Sequence, residues 1–513
     1  MRRRDFFAAA GAGIVGAGAS VAAMGQEPLT SHNPDAGSYG SVVAQARELA
    51  AAPYEARTME LTGPFADLGY DSYRGIRPRT IPLGPERHGF AIDLLPPGFI
   101  YKEPVQISLV SAAGVEDIRF SPEMFDFDPD FFDAAALSEW APAEGLEFSG
   151  VRLRHGINQP DHLDEFAVFQ GASYFRATAR NMIYGLSARG LALRTGDPKG
   201  EEFPVFRHFW IERPTGAARS IAVRALLDST SCAGAFEFVI TPGEATVTQT
   251  RCTLFPRVEL EQVGIAPLTS MFVFGPQWRA GVDDFRNAVH DSEGLQMLTG
   301  QSARLWRPLT NPRQLQISAF QDSGPTGFGL VQRRRDFAHY SDAEARYEKR
   351  PAGWVEPAGD WGDGAVVLVE IPTAYEFNDN MVAFWRPSEP LGPTEEGHEF
   401  AYWLHWCGAP PDAAPLARVH ATRSGRSIHD ESRRVLIIDF SKPGRLAVPP
   451  EADVAISKGE ITGLTVRDLP GGDLTRVSFE FTPGEEPVLE FQVALVGPEG
   501  PVSERWIYRW TPA

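Results

Sequence analysis

The chain has 513 residues, with 67 Asp and Glu against 48 Lys and Arg and a formal net charge of −19. Its length suggests about two domains, and 43% hydrophobic with 22% charged residues is the balance of a soluble globular protein. The acidity excludes a binder of nucleic acid or anionic lipid, whose phosphates it would repel, but not a binder of a neutral, polyhydroxylated ligand.

Taken from the N-terminus, Arg2, Arg3 and Arg4 precede Asp5-Phe6-Phe7 and an Ala/Gly-rich run to about Met24. Paired arginines, a nearby Phe and a mild apolar stretch predict a twin-arginine export signal over residues 1–25, and so a mature protein in the periplasm. Gly11, Gly13 and Gly16 spell GxGxxG inside that segment. They follow no strand and open no βαβ unit, so no dinucleotide site is read there. No later stretch approaches the about 18 apolar residues of a membrane span.

A helix is expected over Ser41–Ala51, with short helical windows at Asp283–Val289 and Asp342–Tyr347. Otherwise the pattern is of strands: 104–110, 220–227, 235–242, 245–255, 314–320 and 365–372 alternate or run apolar between Gly- and Pro-containing turns. With 49 Gly and 42 Pro, this points to an all-β sandwich or barrel. Cys232 and Cys252 flank a hairpin with Thr241-Pro242-Gly243 at its turn, which leaves a disulfide open, whereas Cys407 reads as a small buried residue. The Pro-, Gly- and Glu-rich stretch 386–397 marks a boundary. Beyond it, about the right number and length of strands for an immunoglobulin-like sandwich follow. The expected division is a 1–25 signal, a 26–390 β-sandwich and a 391–513 Ig-like domain.

The densest chemistry lies between Asp283 and Trp385, where carboxylates in loop contexts alternate with arginines and large aromatics. Flat rings cover sugar C–H faces, charged groups hydrogen-bond hydroxyls, and two carboxyl groups can divide acid and base work. Asp379 sits in an Asn-Asp-Asn cluster just past an apolar strand, and Asp291 follows His290 where a helical pattern breaks. By spacing alone each is a turn-forming aspartate, and spacing cannot select two acids among 67. Tyr347, Arg350, Trp354, Glu356 and Trp361 form a second cluster of ring and hydroxyl binders, although both tryptophans could equally be core.

Other motifs are weaker. Asp126-x-Asp128-x-Asp130 begins like a calcium loop, but Phe131 and Leu137 replace the required Gly and Glu. The eleven His show no zinc spacing and the Cys no CxxC pair, so no metal or other cofactor is expected. Residues 185–190, GLSARG, are not a nucleophile elbow. Arg333-Arg334-Arg335 reads as a solvated or salt-bridged strand end.

The chain resembles the periplasmic glucan biosynthesis proteins of the OpgG/OpgD (MdoG/MdoD) type. The resemblance rests on YDSYRGIRPR (70–79), QGASYFRA (170–177), YGLSARGLALRTG (184–196), GEEFPVFRHFW (200–210), ALLDS (225–229), GIAPLTSMFVFG (264–275), WRPLTNP (306–312), RPAGWVEP (350–357) and DNMVAFW (379–385), in family order over roughly residues 60 to 410. It implies a large N-terminal β-sandwich followed by a smaller C-terminal Ig-like domain, and inverting endo-cleavage of β-1,2-glucan in osmoregulated periplasmic glucan biosynthesis. Carried over, the general acid falls on Asp379 of DNMVAFW and the general base on Asp291 of HDSEGL, acting through a relay in which Tyr347 takes part. Glu376, close in sequence, is expected to help Asp379 keep its proton. Arg350 then binds glucose hydroxyls or orients a carboxylate, and Trp354, Glu356 and Trp361 line subsites. Tyr174, Arg176 and Arg189, from long family motifs, are placed near the cleft, although arginines paired to carboxylates in the core would look the same.

The residues leave open whether the product is a shorter linear glucan or one cyclised by transglycosylation, or whether the cleft only holds and passes on glucan. A scaffold docking a membrane glucan-synthase complex is a further alternative. The resemblance favours a homodimer, which the residues themselves do not decide.

Overall fold

The computed structural model describes residues 37–84, 89–140, 145–216, 218–279, 281–411, 415–442 and 448–512. The expected export segment lies outside them. Strands dominate and the helices are few and short, so the fold is all-β as the alternation predicts. The chain forms two compact units, Met1–Pro267 with Glu389–Trp406, and Leu268–Ser388 with Cys407–Ala513.

In the first unit, Val205–Glu212, Ile221–Asp228, Cys232–Thr241, Thr246–Pro256 and His398–Cys407 pair antiparallel in that order. Alternation shows in Ile221–Asp228, where Ile221, Val223, Ala225 and Leu227 are buried and the residues between them are half-exposed. A second set runs from Ala91–Leu95 through Gly150–His155 and Asp164–Gln170 to Tyr174–Ala177 and Ser187–Arg189. Phenylalanines from the two sets meet with tilted rings. Phe169 lies 5.3 Å from both Phe209 and Phe238, and Phe175 lies 5.1 Å from Phe238, ring centre to ring centre. These rings form the interior of a sandwich. The expected helix is present as Tyr39–Ala51, capped by the Ser38 hydroxyl accepting from the Ser41 N–H at 3.2 Å. Its Val42 and Ala46 pack on Trp210, Ala235 and Phe255.

The same unit settles the cysteines. The register pairs Cys232 with Pro256 and Cys252 with Phe236, because Thr241 pairs with Val247 and the loop between them is longer than the three-residue turn expected. The two sulfurs are therefore not opposite. Cys232, Cys252 and Cys407 are all buried free thiols, and burial pushes the Cys252 thiol up to about 12. Asp126 and Asp128, the would-be calcium ligands, pair instead with Arg79 and Arg77 at 2.7 and 3.1 Å.

In the second unit, Gly294–Leu298 pairs with both Arg304–Pro308 and Gly327–Val331, and the latter continues to Ala352–Ala358. Gln316–Ser323, Asp363–Glu370 and Met381–Pro387 form another antiparallel run. Val419–Arg426, Arg434–Ser441, Leu474–Phe481 and Ile461–Asp468 make a four-stranded sheet.

The compact units divide the chain differently from the expected 26–390 and 391–513 segments. Hydrogen bonding explains why. His398–Cys407, just past the Pro-rich boundary, completes the first unit's hairpin series. Arg505–Trp510 runs parallel to Arg304–Pro308, so the last strand of the chain extends a sheet begun two hundred residues earlier. The Arg333 side chain, stacked 3.5 Å over Trp306, locks this arrangement by donating to Glu504 at 2.9 Å and to Gln296 at 2.8 Å. Of the triple-arginine run, Arg333 is thus salt-bridged inside the unit, and Arg335 donates to the carbonyls of Gly408 and Arg350 at 2.8 Å each.

Candidate active site

The site is built in the second unit from three loops. The first is the stretch before Val289–His290, where a short helix was expected over Asp283–Val289. No helix forms there. The Asp284 carboxylate instead accepts the backbone N–H of Arg286 at 2.9 Å and its guanidinium at 2.8 Å, a local turn that competes with helical bonding. The chain then enters the Val289–His290 strand, which pairs with Phe272–Phe274. Asp291 follows at once, buried, its N–H held by the Met271 carbonyl at 2.8 Å.

The second loop carries Tyr347 and Arg350. Its entry is strained: Ser341 and Arg346 both take left-handed backbone conformations, φ 55° and 49°. Non-glycine residues in that region cost free energy and cluster at functional sites. Asp342 holds the turn by accepting the N–H groups of Glu344 and Ala345 at 3.0 and 2.7 Å. The expected helix at Asp342–Tyr347 is reduced to a turn and a single 3₁₀ turn, Tyr347–Lys349.

These loops meet in one chain of hydrogen bonds joined by a cation–π contact. Arg350 pairs with Asp291 and lies 4.5 Å above the Tyr347 ring. The Tyr347 hydroxyl donates to Glu376 at 2.9 Å. Arg286 donates to the same Glu376 oxygen at 2.8 Å and to Asp342 at 2.8 Å. Burial alone would weaken the Arg350 charge, but Asp291 and Tyr347 outweigh it and hold the guanidinium above its ordinary value. The Arg286 guanidinium is likewise raised against burial by Asp284, Asp342 and Glu376. Burial, with Glu376 and Asp291 nearby, drives the Tyr347 phenol upward despite Arg350, so it stays protonated and can donate. Four carboxylates share two guanidiniums and one phenol, a composition able to take up and pass on a proton.

Asp379 is half-buried in the loop between the turn at Glu376 and the strand Met381–Pro387. Its neighbour Asn380 is a clamp. The buried Asn380 amide accepts from the Phe272 N–H at 2.8 Å and donates to the carbonyls of Phe272 and Ile371 at 3.0 and 2.9 Å. Phe272 is paired in register with His290, the residue before Asp291. One side-chain clamp and one strand pair therefore connect the loops of the two aspartates. Glu376, expected to act on Asp379, sends its carboxylate to Arg286 and Tyr347.

A second clamp ties Asp291 to Tyr347. Gln332 donates its amide to the carbonyls of both His290, at 3.1 Å, and Tyr347, at 3.2 Å. Its oxygen is left to accept from His290 Nδ1 at 2.9 Å, which fixes the proton on Nδ1. Burial pushes His290 down to about 3, with His339 adding to the effect, so the ring is a neutral spacer stacked on Phe272 at 5.3 Å.

The structure thus brings Asp291, Tyr347 and Arg350 into contact and connects the Asp379 loop to them. Other expected residues fall elsewhere. Trp354 is 2% exposed and packs so tightly on Gly327 that a Cβ there would lie 2.3 Å from its ring. Trp361 is also buried, 6.3 Å from Trp385. Both rings are given to the core, and only Glu356, at the half-buried end of its strand, approaches solvent. Tyr174, Arg176 and Arg189 belong to the first unit. Arg189 is buried over the Tyr174 ring at 4.7 Å and pairs with Glu201 at 2.5 Å, while Arg176 donates to the Ser187 hydroxyl at 2.6 Å. Arg189 thus has the carboxylate partner of a structural arginine, a pairing that sequence cannot distinguish from ligand binding. Sequence reasoning did not single out Arg286, Asp342, Gln332 or Asn380. Asp284 and Asp342 carry a readable turn signal, but the partners they organise lie far along the chain.

The family model described as "Periplasmic glucan biosynthesis protein, MdoG" matches residues 38–510. The chain belongs to this family. It is 46% identical over 477 residues to a Vibrio cholerae protein named "Glucans biosynthesis protein G", covering 92% of this chain and 86% of that one. Its identity to proteins of the same name is 43% over 472 residues in Bradyrhizobium diazoefficiens, covering 91% and 92%, and 42% over 478 residues in Shewanella baltica, covering 92% and 86%. The chain is therefore a member of a family of periplasmic glucan biosynthesis proteins, and no helix among its described residues is long and apolar enough to cross a membrane.

Proposed function

We propose that this family member cleaves the β-1,2-glucan backbone internally, with inversion of the anomeric carbon. The observation that carries the reading is the Arg350–Asp291 pair and its continuation through Tyr347, Glu376 and Arg286. A guanidinium in contact favours the anionic form of Asp291, the form a general base requires. In the proposed step, water on one face of a glucosyl ring attacks the anomeric carbon and loses its proton toward Asp291. The glycosidic C–O bond breaks on the opposite face, and Asp379 protonates the departing oxygen. We assign Tyr347 to the relay of the water's proton to Asp291, a step in which its hydroxyl, protonated and resting on Glu376, turns into that proton's path. The clamps from Asn380 and Gln332 keep the two aspartate loops and the relay in register, which favours a fixed reaction geometry.

Incubating the mature protein with linear β-1,2-glucan and weighing the products by mass spectrometry tests this reading. Shorter linear glucans, absent with Asp379→Asn, are expected. Products lighter than the matching linear chain by one water would replace hydrolysis with cyclising transglycosylation. No covalent change would leave a glucan-holding protein.

A further inference from the structure

Two of the most exposed aromatic rings in the second unit sit one residue away from the two ends of a single ion pair. Phe285, 79% exposed, precedes Arg286, and Tyr375, 58% exposed, precedes Glu376. Arg286 and Glu376 are joined at 2.8 Å. Single exposed apolar side chains are ordinary on a protein surface. Two rings bracketing a buried-network ion pair, each on an immobilised loop, are a different case.

Both loops are held by side-chain hydrogen bonds rather than left free. Around Phe285, Asp284 accepts the Arg286 N–H, and Arg279 donates to the carbonyls of Arg286 and Asp284, the latter at 3.0 Å. Around Tyr375, the Thr373 hydroxyl donates to the Tyr375 carbonyl at 3.2 Å and accepts its N–H at 3.1 Å. Thr373 is in turn pinned by Asn311, which accepts its N–H at 3.0 Å and donates to its carbonyl at 2.7 Å. The Tyr375 ring stacks on Phe377 at 4.9 Å, nearly parallel, so one face is supported and the other is turned outward. The Arg286 guanidinium, 5.8 Å from the Phe285 ring, is committed to carboxylates on its other side. Rings fixed in place, flanked by charged groups that already have partners, suit a ligand with flat C–H faces and peripheral hydroxyls. They suit a charged or deeply apolar partner poorly.

We infer that Phe285 and Tyr375 form an aromatic platform that binds the glucan chain at the rim of the Asp291 network. The inference rests on the proposed function only for the β-1,2 linkage of the ligand. Each ring offers one face to one glucosyl residue, and the fixed loops spare the ordering cost that a mobile ring would add on binding. The platform supplies binding energy remote from the cleaved bond and belongs to longer chains rather than to the reacting unit.

The test is isothermal titration calorimetry with linear β-1,2-glucan on Asp379→Asn protein, so that binding is read without turnover. Phe285→Ala and Tyr375→Ala are expected to raise Kd roughly three- to tenfold each. Phe285→Trp and Tyr375→Phe should hold Kd near the parent value, and Phe131→Ala, half-exposed in the first unit, should leave it unchanged. Thermal melting points matching the parent exclude unfolding as the cause. Unchanged Kd in both alanine variants, or no glucan binding by the parent, overturns the platform. A wild type that cleaves glucan with unchanged Kd in the alanine variants sinks the platform and leaves the hydrolase reading standing. Platform-dependent binding by a protein that cleaves nothing does the reverse.

Discussion

Within the second unit, two buried arginine–carboxylate pairs invite comparison. Arg307 donates to Glu370 at 2.9 Å between the strands Arg304–Pro308 and Asp363–Glu370, and both side chains are almost fully buried. The other Glu370 oxygen accepts from the N–H and hydroxyl of Thr310 at 2.8 and 2.9 Å, and Arg307 also reaches the Pro308 carbonyl. That pair is closed on itself and cross-links strands. Arg350–Asp291 uses the same chemistry but lies between loops and passes on through Tyr347 to Glu376, Arg286 and Asp342. A buried ion pair by itself therefore says nothing about function. What separates the two is whether the chain of polar contacts ends between strands or continues toward a loop carrying a half-buried acid.

Breaking the Arg307–Glu370 pair should cost stability alone, whereas losing Asp291 or Asp379 should cost glucan cleavage. Replacing Asp291 or Asp379 with Asn is expected to lower the rate of glucan cleavage by about 10²- to 10⁴-fold, the range for losing a general acid or base. Asp379→Asn should leave the melting temperature near wild type, and calorimetry beside the activity assay checks both at once. Arg307→Met should do the converse. Removing one partner leaves Glu370 buried and unpaired and costs about 3–5 kcal/mol in denaturant titrations, while activity per folded molecule is retained. The double variant Arg307→Met/Glu370→Met should recover most of that loss. If Arg307→Met silenced cleavage in folded protein, the distinction between the two pairs would fail.

Smaller changes sharpen the comparison. Tyr347→Phe keeps the ring under Arg350 but deletes the hydroxyl that donates to Glu376, and the loss of one hydrogen bond to a charged group, about 1.5–3 kcal/mol, predicts roughly a ten- to hundredfold drop in kcat. A purely structural Tyr347 would lower stability and leave kcat alone. The smallest effect concerns pH. The ordinary value for His290 is 6.5, and burial lowers it to about 3 in the folded protein. Between those values the unfolded chain binds a proton that the folded one refuses, so stability falls as pH falls from about 6.5 toward 3. His290→Asn can keep a donor toward Gln332 without titrating in this range. Its stability curve should be shallower by up to about 1.4 kcal/mol per pH unit over that window. Parallel curves for the two proteins would refute a buried neutral His290.

Much of the fold was legible because it depends on short-range pattern. The alternation in Ile221–Asp228 and the Ser-capped helix at Tyr39–Ala51 follow from neighbouring residues. The disulfide left open by the sequence is decided by a loop length, since the connection between Thr241 and Val247 places Cys252 opposite Phe236. The helix expected at Asp283–Val289 lost to the Asp284 side chain, which offers the Arg286 backbone an alternative partner. Asp291, Tyr347, Arg350 and Asp379 were reachable only through whole motifs, because no local rule separates a catalytic aspartate from a turn. Arg286, Gln332 and Asn380 act across separations of tens to more than a hundred residues, and their roles exist only once the strands are paired. The tryptophans show the same limit from the other side. Trp354 turns inward onto Gly327, where a side chain would collide with its ring, and that partner lies 27 residues away.

The division of labour between Asp291 and Asp379 is tested most directly by the anomeric form of the first product. Following early cleavage of linear β-1,2-glucan by proton NMR, before mutarotation, should show the new reducing end appearing as the α-anomer. A β-anomer would mean retention, and an Asp291 that activates water on the far face of the sugar would be contradicted.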